Sequence, residues 1–186
     1  GLPGEIGAGL EDIGLDVATH AEVSGNPTTA DVAITRALAD THRSDVIIAI
    51  GGGSAIDTAK AAAMLLANGG DYGDYQWEGR PITQRSHPFV AVPTTAGTGS
   101  EVSKVAVISD PTQPFKKGVL SPLMSAHAAV IDPTVTIGLP SHLTAATGMD
   151  AFIHAFEAYT GLGANPVSDM LALESGTPMF GPALVI

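Results

Sequence analysis

Asp150 and His154 lie four residues apart in GMDAFIHAFEAY, a stretch that reads as helix. That spacing puts a carboxylate and an imidazole on one helical face, where together they could grip a divalent cation. Two donors do not make a site, and a surface Asp–His pair is the plainer reading of these residues alone. A second group points to anion chemistry. Gly51, Gly52, Gly53 and Ser54 follow the apolar run DVIIAI and precede an alanine-rich helical pattern. A tight strand-to-helix turn leaves backbone N–H groups facing outward at the positive end of the helix dipole, and glycine lets a phosphate approach closely. Ser54 and Asp57 have the spacing of a capping box, which would mark the helix start. On the glycines alone, a turn that binds nothing is an equal reading. A third group is PTTAGTGSE at 93–101, where Thr94, Thr95, Thr98 and Ser100 surround Gly97 and Gly99. Such hydroxyls could wrap ribose and phosphate oxygens, and a solvated Ser/Thr turn is the simpler alternative.

The elements that position these groups follow from periodicity. The β-branched run at 45–50 predicts a buried strand, and 55–67 predicts a helix behind the glycines. Further strands are expected at 16–23, 87–92, 102–108 and 126–132. Helices are expected to end at Gly14, to cover 30–42, and to cover 141–160 between an N-cap at Ser141 and a stop at Gly161. Another should start at Pro166, an allowed first-turn position. The last stretch, SGTPMFGPALVI, carries two glycines and two prolines and is expected to break that helix. Strands alternating with helices indicate an α/β layer with a mostly parallel sheet. Ligands of such sheets gather at the carboxyl ends of strands, where both loops belong. Residues 1–140 thus read as a nucleotide-type α/β region, and 141–186 as the opening of a helical one.

Composition narrows the class. Hydrophobic residues make up 45% and charged residues 15%, which are globular values. The net charge is −11 and no Lys or Arg follows Lys117, which argues against a nucleic-acid surface. No segment has the roughly 18 unbroken apolar residues of a membrane span. The opening residues lack the layout of a secretory signal, and zero cysteines fit a reducing compartment, so a cytoplasmic protein is expected. Two well-known phosphate-binding fingerprints fail. The third glycine of G-x-G-x-x-G would fall on Ile56, and Lys60 lacks the preceding glycine of a P-loop.

Taken together, GNPT at 25–28, GGGSAIDTAK at 51–60, PTTAGTGSE at 93–101 and AVIDPTVTIGLPSHLTAATGMDAFIHAFEAYT at 129–160 resemble the iron-containing (group III) alcohol dehydrogenase family. The resemblance runs to about Glu174. It implies a Rossmann-like dinucleotide-binding domain, then an all-helical domain, with a divalent metal in the cleft between them. Iron is the metal expected, with zinc the alternative. It implies that NAD or NADP contacts Gly51, Gly52, Gly53, Ser54 and Asp57, then Thr94, Thr95 and Thr98, then Asn26 and Lys116, with Lys117 as the fallback. Asp150 and His154 match two of the family's four metal ligands, and so carry its catalytic role. The other two are histidines from helices downstream, whereas His20, His42, His87, His127 and His142 all precede Asp150. The family's opening strand–helix and its NAD-selecting acidic residue have no counterpart, so the chain is expected to be cut short at both ends, with a tail at 175–186 outside the pattern. The activity implied is hydride transfer between a small alcohol or aldehyde and NAD(P), the metal acting as Lewis acid, in a homo-oligomer without nucleic-acid or membrane partners. Alternatives are a nucleotide-binding fragment without turnover and a glycerol dehydrogenase- or dehydroquinate synthase-like enzyme.

Overall fold

The structure is a computed structural model and describes residues 1–180. The chain divides into two compact units, Gly1–Thr94 with Ser100–Asp132, and Thr95–Gly99 with the residues from Pro133 onward.

In the first unit, helix α1 (Leu2–Asp12) ends at Ile13, ahead of Gly14 at φ +88°. Residues 16–23 are irregular instead of the expected strand. Val17 and Val23 find no ladder partner there. The segment is tied through side chains, His20 Nδ1 to Thr35 Oγ1 at 2.8 Å and the His42 ring to the Asp16 carbonyl at 3.2 Å. Helix α2 (Thr29–His42) starts at a full capping box, with Thr28 and Asp31 each serving the other's backbone N–H. Strand β1 (Ile47–Gly51), helix α3 (Gly53–Asn68) and strand β2 (Phe89–Pro93) form a parallel β–α–β unit, with Ala49 beside Ala91 and Gly51 beside Pro93. A short helix α4 (Tyr72–Gln76) lies between α3 and β2 in sequence. Strands β3 (Val105–Ile108) and β4 (Lys117–Leu120) make an antiparallel hairpin, so the extended stretch at 102–108 is shorter than expected. The strand expected at 126–132 is reduced to β5 (Ala128–Ala129), parallel to β2 on the side away from β1.

Helix α3 organises the core. Its alanines 61, 62 and 63 and Met64 are fully buried. One flank packs Ala61, Ala62, Met64 and Leu65 with Val32, Tyr72, Tyr75, Ala106, Ile108, Val119 and Met124. The other packs Ile56, Ala59 and Ala63 with Ala49, Phe89 and Ala91 of the sheet. Small side chains let a helix approach neighbours on both sides, which an amphipathic surface helix does not do.

In the second unit, helix α5 (Ser141–Thr160) packs on α6 (Pro166–Phe180). The N-cap of α5 is Pro140, one residue before the expected Ser141, because the Pro140 carbonyl accepts from Leu143 and Thr144 N–H, both at 2.9 Å. Gly161 ends α5 as expected. Helix α6 runs through Ser175 and Gly176, where a break was expected. Ser175 donates its hydroxyl to the Leu171 carbonyl at 2.7 Å, a bond compatible with helix, and one glycine costs only about 1 kcal/mol. The expected irregular end at 181–186 lies outside the described residues.

Candidate functional site

The glycine turn begins where β1 ends. Gly51 is held to its residue type by packing, since a Cβ there would lie 2.7 Å from that of Ala55. Gly52 is different. Its φ of −79° and ψ of −169° suit any residue, so the backbone itself does not require glycine there. Gly52 is the N-cap of α3, and no side chain caps the helix. The expected Ser54–Asp57 capping box is therefore absent. Ser54 instead donates its hydroxyl to the Gly25 carbonyl at 2.9 Å. Asp57 faces away from the turn, accepting the Ser100 hydroxyl and the Val107 N–H, the latter at 2.8 Å. The first N–H groups of α3 are left for solvent or a ligand.

Three other stretches converge on this turn. Thr94 N–H donates to the Gly51 carbonyl at 3.0 Å. The Gly25–Asn26 turn is reached by Ser54, and Asn26 Oδ1 accepts from Lys116 Nζ and, at 3.3 Å, from Ser109 Oγ. Lys117 points elsewhere, its ammonium 5.6 Å from the centre of the Trp77 ring. Asn26, 51–54, Thr94 and Lys116 are thus linked by a chain of contacts within the first unit. The turn carrying Asn26 is braced from behind by Asp31, which accepts from Thr28 N–H and Oγ1, both at 2.7 Å, and from Ser24 Oγ at 2.9 Å. Burial alone would raise the Asp31 carboxyl, but these donors outweigh it and bring the pKa down to about 2. A cavity of about 800 Å³ opens along β1 and reaches Gly25, Gly52 and Ser54, with Val23, Ile48 and Ile50 as apolar wall. That is the size and mixed lining of a small-molecule pocket.

Thr95 and Thr98 fall in the second unit, as do Asp150 and His154. Gly97 packs so tightly on α5 that a Cβ would lie 2.7 Å from the Thr147 carbonyl oxygen, which brings residues 95–99 to the helix that carries Asp150 and His154. The two side chains share a face of α5, with His154 Nε2 3.8 Å from Asp150 Oδ1, and both are about half exposed. One oxygen and one nitrogen donor on adjacent turns fit two positions around a divalent metal. Among the described residues no third His, Cys, Asp or Glu joins them.

Sequence reasoning missed two residues here. Lys60 entered only as a failed P-loop lysine, yet it is fully buried beside Asp57 and Ser100. Its signal was a charged pair at i, i+3 on an otherwise apolar helix. Ser109, which shares Asn26 with Lys116, gave no signal at all.

Comparisons with known proteins identify the family of the chain. Residues 1–133 match the family model for iron-containing alcohol dehydrogenase, and 144–179 match that for the C-terminal part of the Fe-containing alcohol dehydrogenase family. The match therefore passes Glu174, where the sequence pattern was expected to end. Alcohol dehydrogenase 4 of Saccharomyces cerevisiae (strain YJM789) is 38% identical over 185 residues, covering 100% of this chain and 48% of the yeast protein. NAD-dependent methanol dehydrogenase of Bacillus methanolicus is 39% identical over 175 residues, 94% of this chain and 46% of that protein. The crystal structure of sulfoacetaldehyde reductase from Bifidobacterium kashiwanohense in complex with NAD+ superposes with a TM-score of 0.88 at 32% identity, covering 96% of this chain and 48% of that one. The chain spans about half the length of the curated relatives it matches. With a glycine turn closing β1, a threonine-rich segment after β2 and an Asp–His pair on α5, all within the matched stretches, this chain belongs to the iron-containing alcohol dehydrogenase family.

Proposed function

We propose that the protein is a metal-dependent, NAD(P)-linked dehydrogenase of small alcohols, acting equally on the corresponding aldehydes in reverse. In this reading 1–140 is its dinucleotide-binding region and 141–186 begins its helical metal-binding region. The observation that carries it is the uncapped turn at 51–54, joined to Asn26 and Lys116 and opening on the cavity along β1. The N–H groups of the turn hold the pyrophosphate, and the absent Cβ at Gly52 gives it room. Lys116 adds positive charge in a chain of net charge −11, and Asn26 orients it. Thr94, Thr95 and Thr98 supply hydroxyls to the sugar and phosphate oxygens. Asp57 acts from behind the turn. Asp150 and His154 supply two donors to iron, or to zinc in its place. When bound, the metal provides a Lewis acid for the substrate oxygen and the nicotinamide exchanges the hydride. One relative is named as NAD-dependent, a second as NADH-dependent, and a third is solved with NAD+. The absence of cysteine supports a cytoplasmic setting, and no helix among the described residues is long and apolar enough to cross a membrane.

Fluorescence titration with NADH tests the site. Gly52→Val should weaken binding at least tenfold, about 1.4 kcal/mol, with the fold retained by circular dichroism. Equal affinity in a folded variant would remove the glycine turn from the site. The second reading, a chain that binds cofactor without turning over, is favoured by the missing third metal donor among the described residues. An alcohol-dependent rise in NADH absorbance, abolished by a chelator, would exclude it.

A further inference from the structure

Lys60 has no exposed surface, in a helix whose other buried positions are mostly alanine, methionine and leucine. A buried ammonium is tolerated only where other acceptors replace its water. Here Nζ donates to the Val105 carbonyl at 2.6 Å, to the Ser100 carbonyl at 2.9 Å and to Ser100 Oγ at 3.0 Å, with Asp57 Oδ1 at 3.4 Å. Asp57 closes the cluster by accepting from the Ser100 hydroxyl and the Val107 N–H. Apolar side chains of similar volume often serve stability as well as such a cluster does. Its placement shows what else it achieves. Ser100 is the residue at which the chain re-enters the first unit after Thr95–Gly99. At the other end, Thr94 is tied to the Gly51 carbonyl. Both flanks of the hydroxyl-rich segment are therefore fastened to the glycine turn and its helix, one through Gly51, the other through Lys60 and Asp57.

We propose that Lys60 is a positioning residue for the dinucleotide, holding Ser100 so that the threonines at 95 and 98 are presented from a fixed anchor. The proposal rests on the cofactor reading above. Lys60 itself touches no ligand, since its ammonium is enclosed by protein acceptors. Methionine would match its length and take the ammonium from two carbonyls, a hydroxyl and a carboxylate, of which Asp57 keeps its Ser100 and Val107 donors and the Ser100 carbonyl keeps the Ser103 N–H.

The test compares NADH with ADP on this chain, by fluorescence and calorimetry. ADP offers the glycine turn a pyrophosphate and lacks the nicotinamide half. Lys60→Met and Ser100→Ala should each weaken NADH about tenfold and ADP less than about twofold. Without ligand, hydrogen exchange at 95–101 should rise in both variants while α3 keeps its protection. A lysine that serves stability alone would weaken both ligands in the same ratio, and that result overturns the proposal. So does unchanged NADH affinity in the folded variants. Should Lys60→Met fail to fold, Ser100→Ala, which removes one hydroxyl, decides by the same criteria. Failure of the cofactor reading looks different, because then the wild-type chain binds neither ligand, and unchanged exchange at 95–101 would still overturn the anchoring.

Discussion

Asn26 and Lys116 are ninety positions apart and meet through one hydrogen bond, so neither is independent of the other. Groups that act as a pair lose their value together. Asn26→Ala and Lys116→Ala should each weaken NADH several-fold, and the double variant should be little worse than the poorer single one. A double-mutant cycle measures this, and strict additivity would show that the two residues meet the cofactor separately. The types of these residues were legible in the sequence through the family pattern, as were Gly52, Thr94, Asp150 and His154. Their contacts were not. Asp57 had the spacing to cap α3, but the competing donors on Ser100 and Val107 come from more than forty positions away, and local spacing cannot register them. The same long reach hid Lys60, whose charge reads as surface until its acceptors are known.

At the scale of elements, the cap of α2 connects stability to the site. Thr28 and Asp31 satisfy the helix start while Asp31 braces the turn that carries Asn26. Thr28→Ala should lower stability by about 1 kcal/mol and Asp31→Ala by about 2 kcal/mol, measured by urea unfolding. The pH dependence has a definite sign. The Asp31 pKa falls from 3.8 to about 2 on folding, so between those values the unfolded chain holds more protons than the folded one. Stability from this group is full above about pH 4 and is lost as pH falls towards 2. Melting temperatures from pH 5 to 2 should drop less steeply in Asp31→Asn than in wild type. A second element-level constraint is Gly97, where a Cβ would meet backbone atoms of Thr147 that cannot swing aside. Gly97→Ala should loosen the contact between 95–99 and α5, seen as faster exchange in both segments. Long apolar or capped elements, such as β1, α2, α3 and α5, were legible in the sequence because each signals locally. The strand at 16–23 and the length of β5 were misread because ladder pairing depends on a neighbour that a local pattern does not name.

At the scale of the whole molecule, α5, α6 and their connection carry ten of the large apolar side chains exposed among the described residues. Leu143, Ile153, Phe156, Leu171 and Leu173 are each 40% to 57% exposed, and Leu162 in the connection is fully exposed. Burying a leucine or phenylalanine is worth roughly 1.5–3 kcal/mol, so several on one pair of helices favour association. The chain should self-associate at micromolar concentration and brighten a hydrophobic dye. Sedimentation showing a clean monomer with a dark dye would contradict this. Leu143→Ser with Phe156→Ser should restore a monomer if these helices form the contact. The alanine-filled α3 has a consequence for how this protein can change. Residues 59 and 61–63 already carry nearly the smallest side chain and touch neighbours on both flanks. In a saturation library, enlargement at these sites should be rejected almost without exception, since overpacking costs about 1–3 kcal/mol per site. The exposed face of α1, which buries no residue, should accept most replacements. The inheritance of this chain would thus show a narrow, nearly immutable rod behind the glycine turn, with drift confined to what surrounds it.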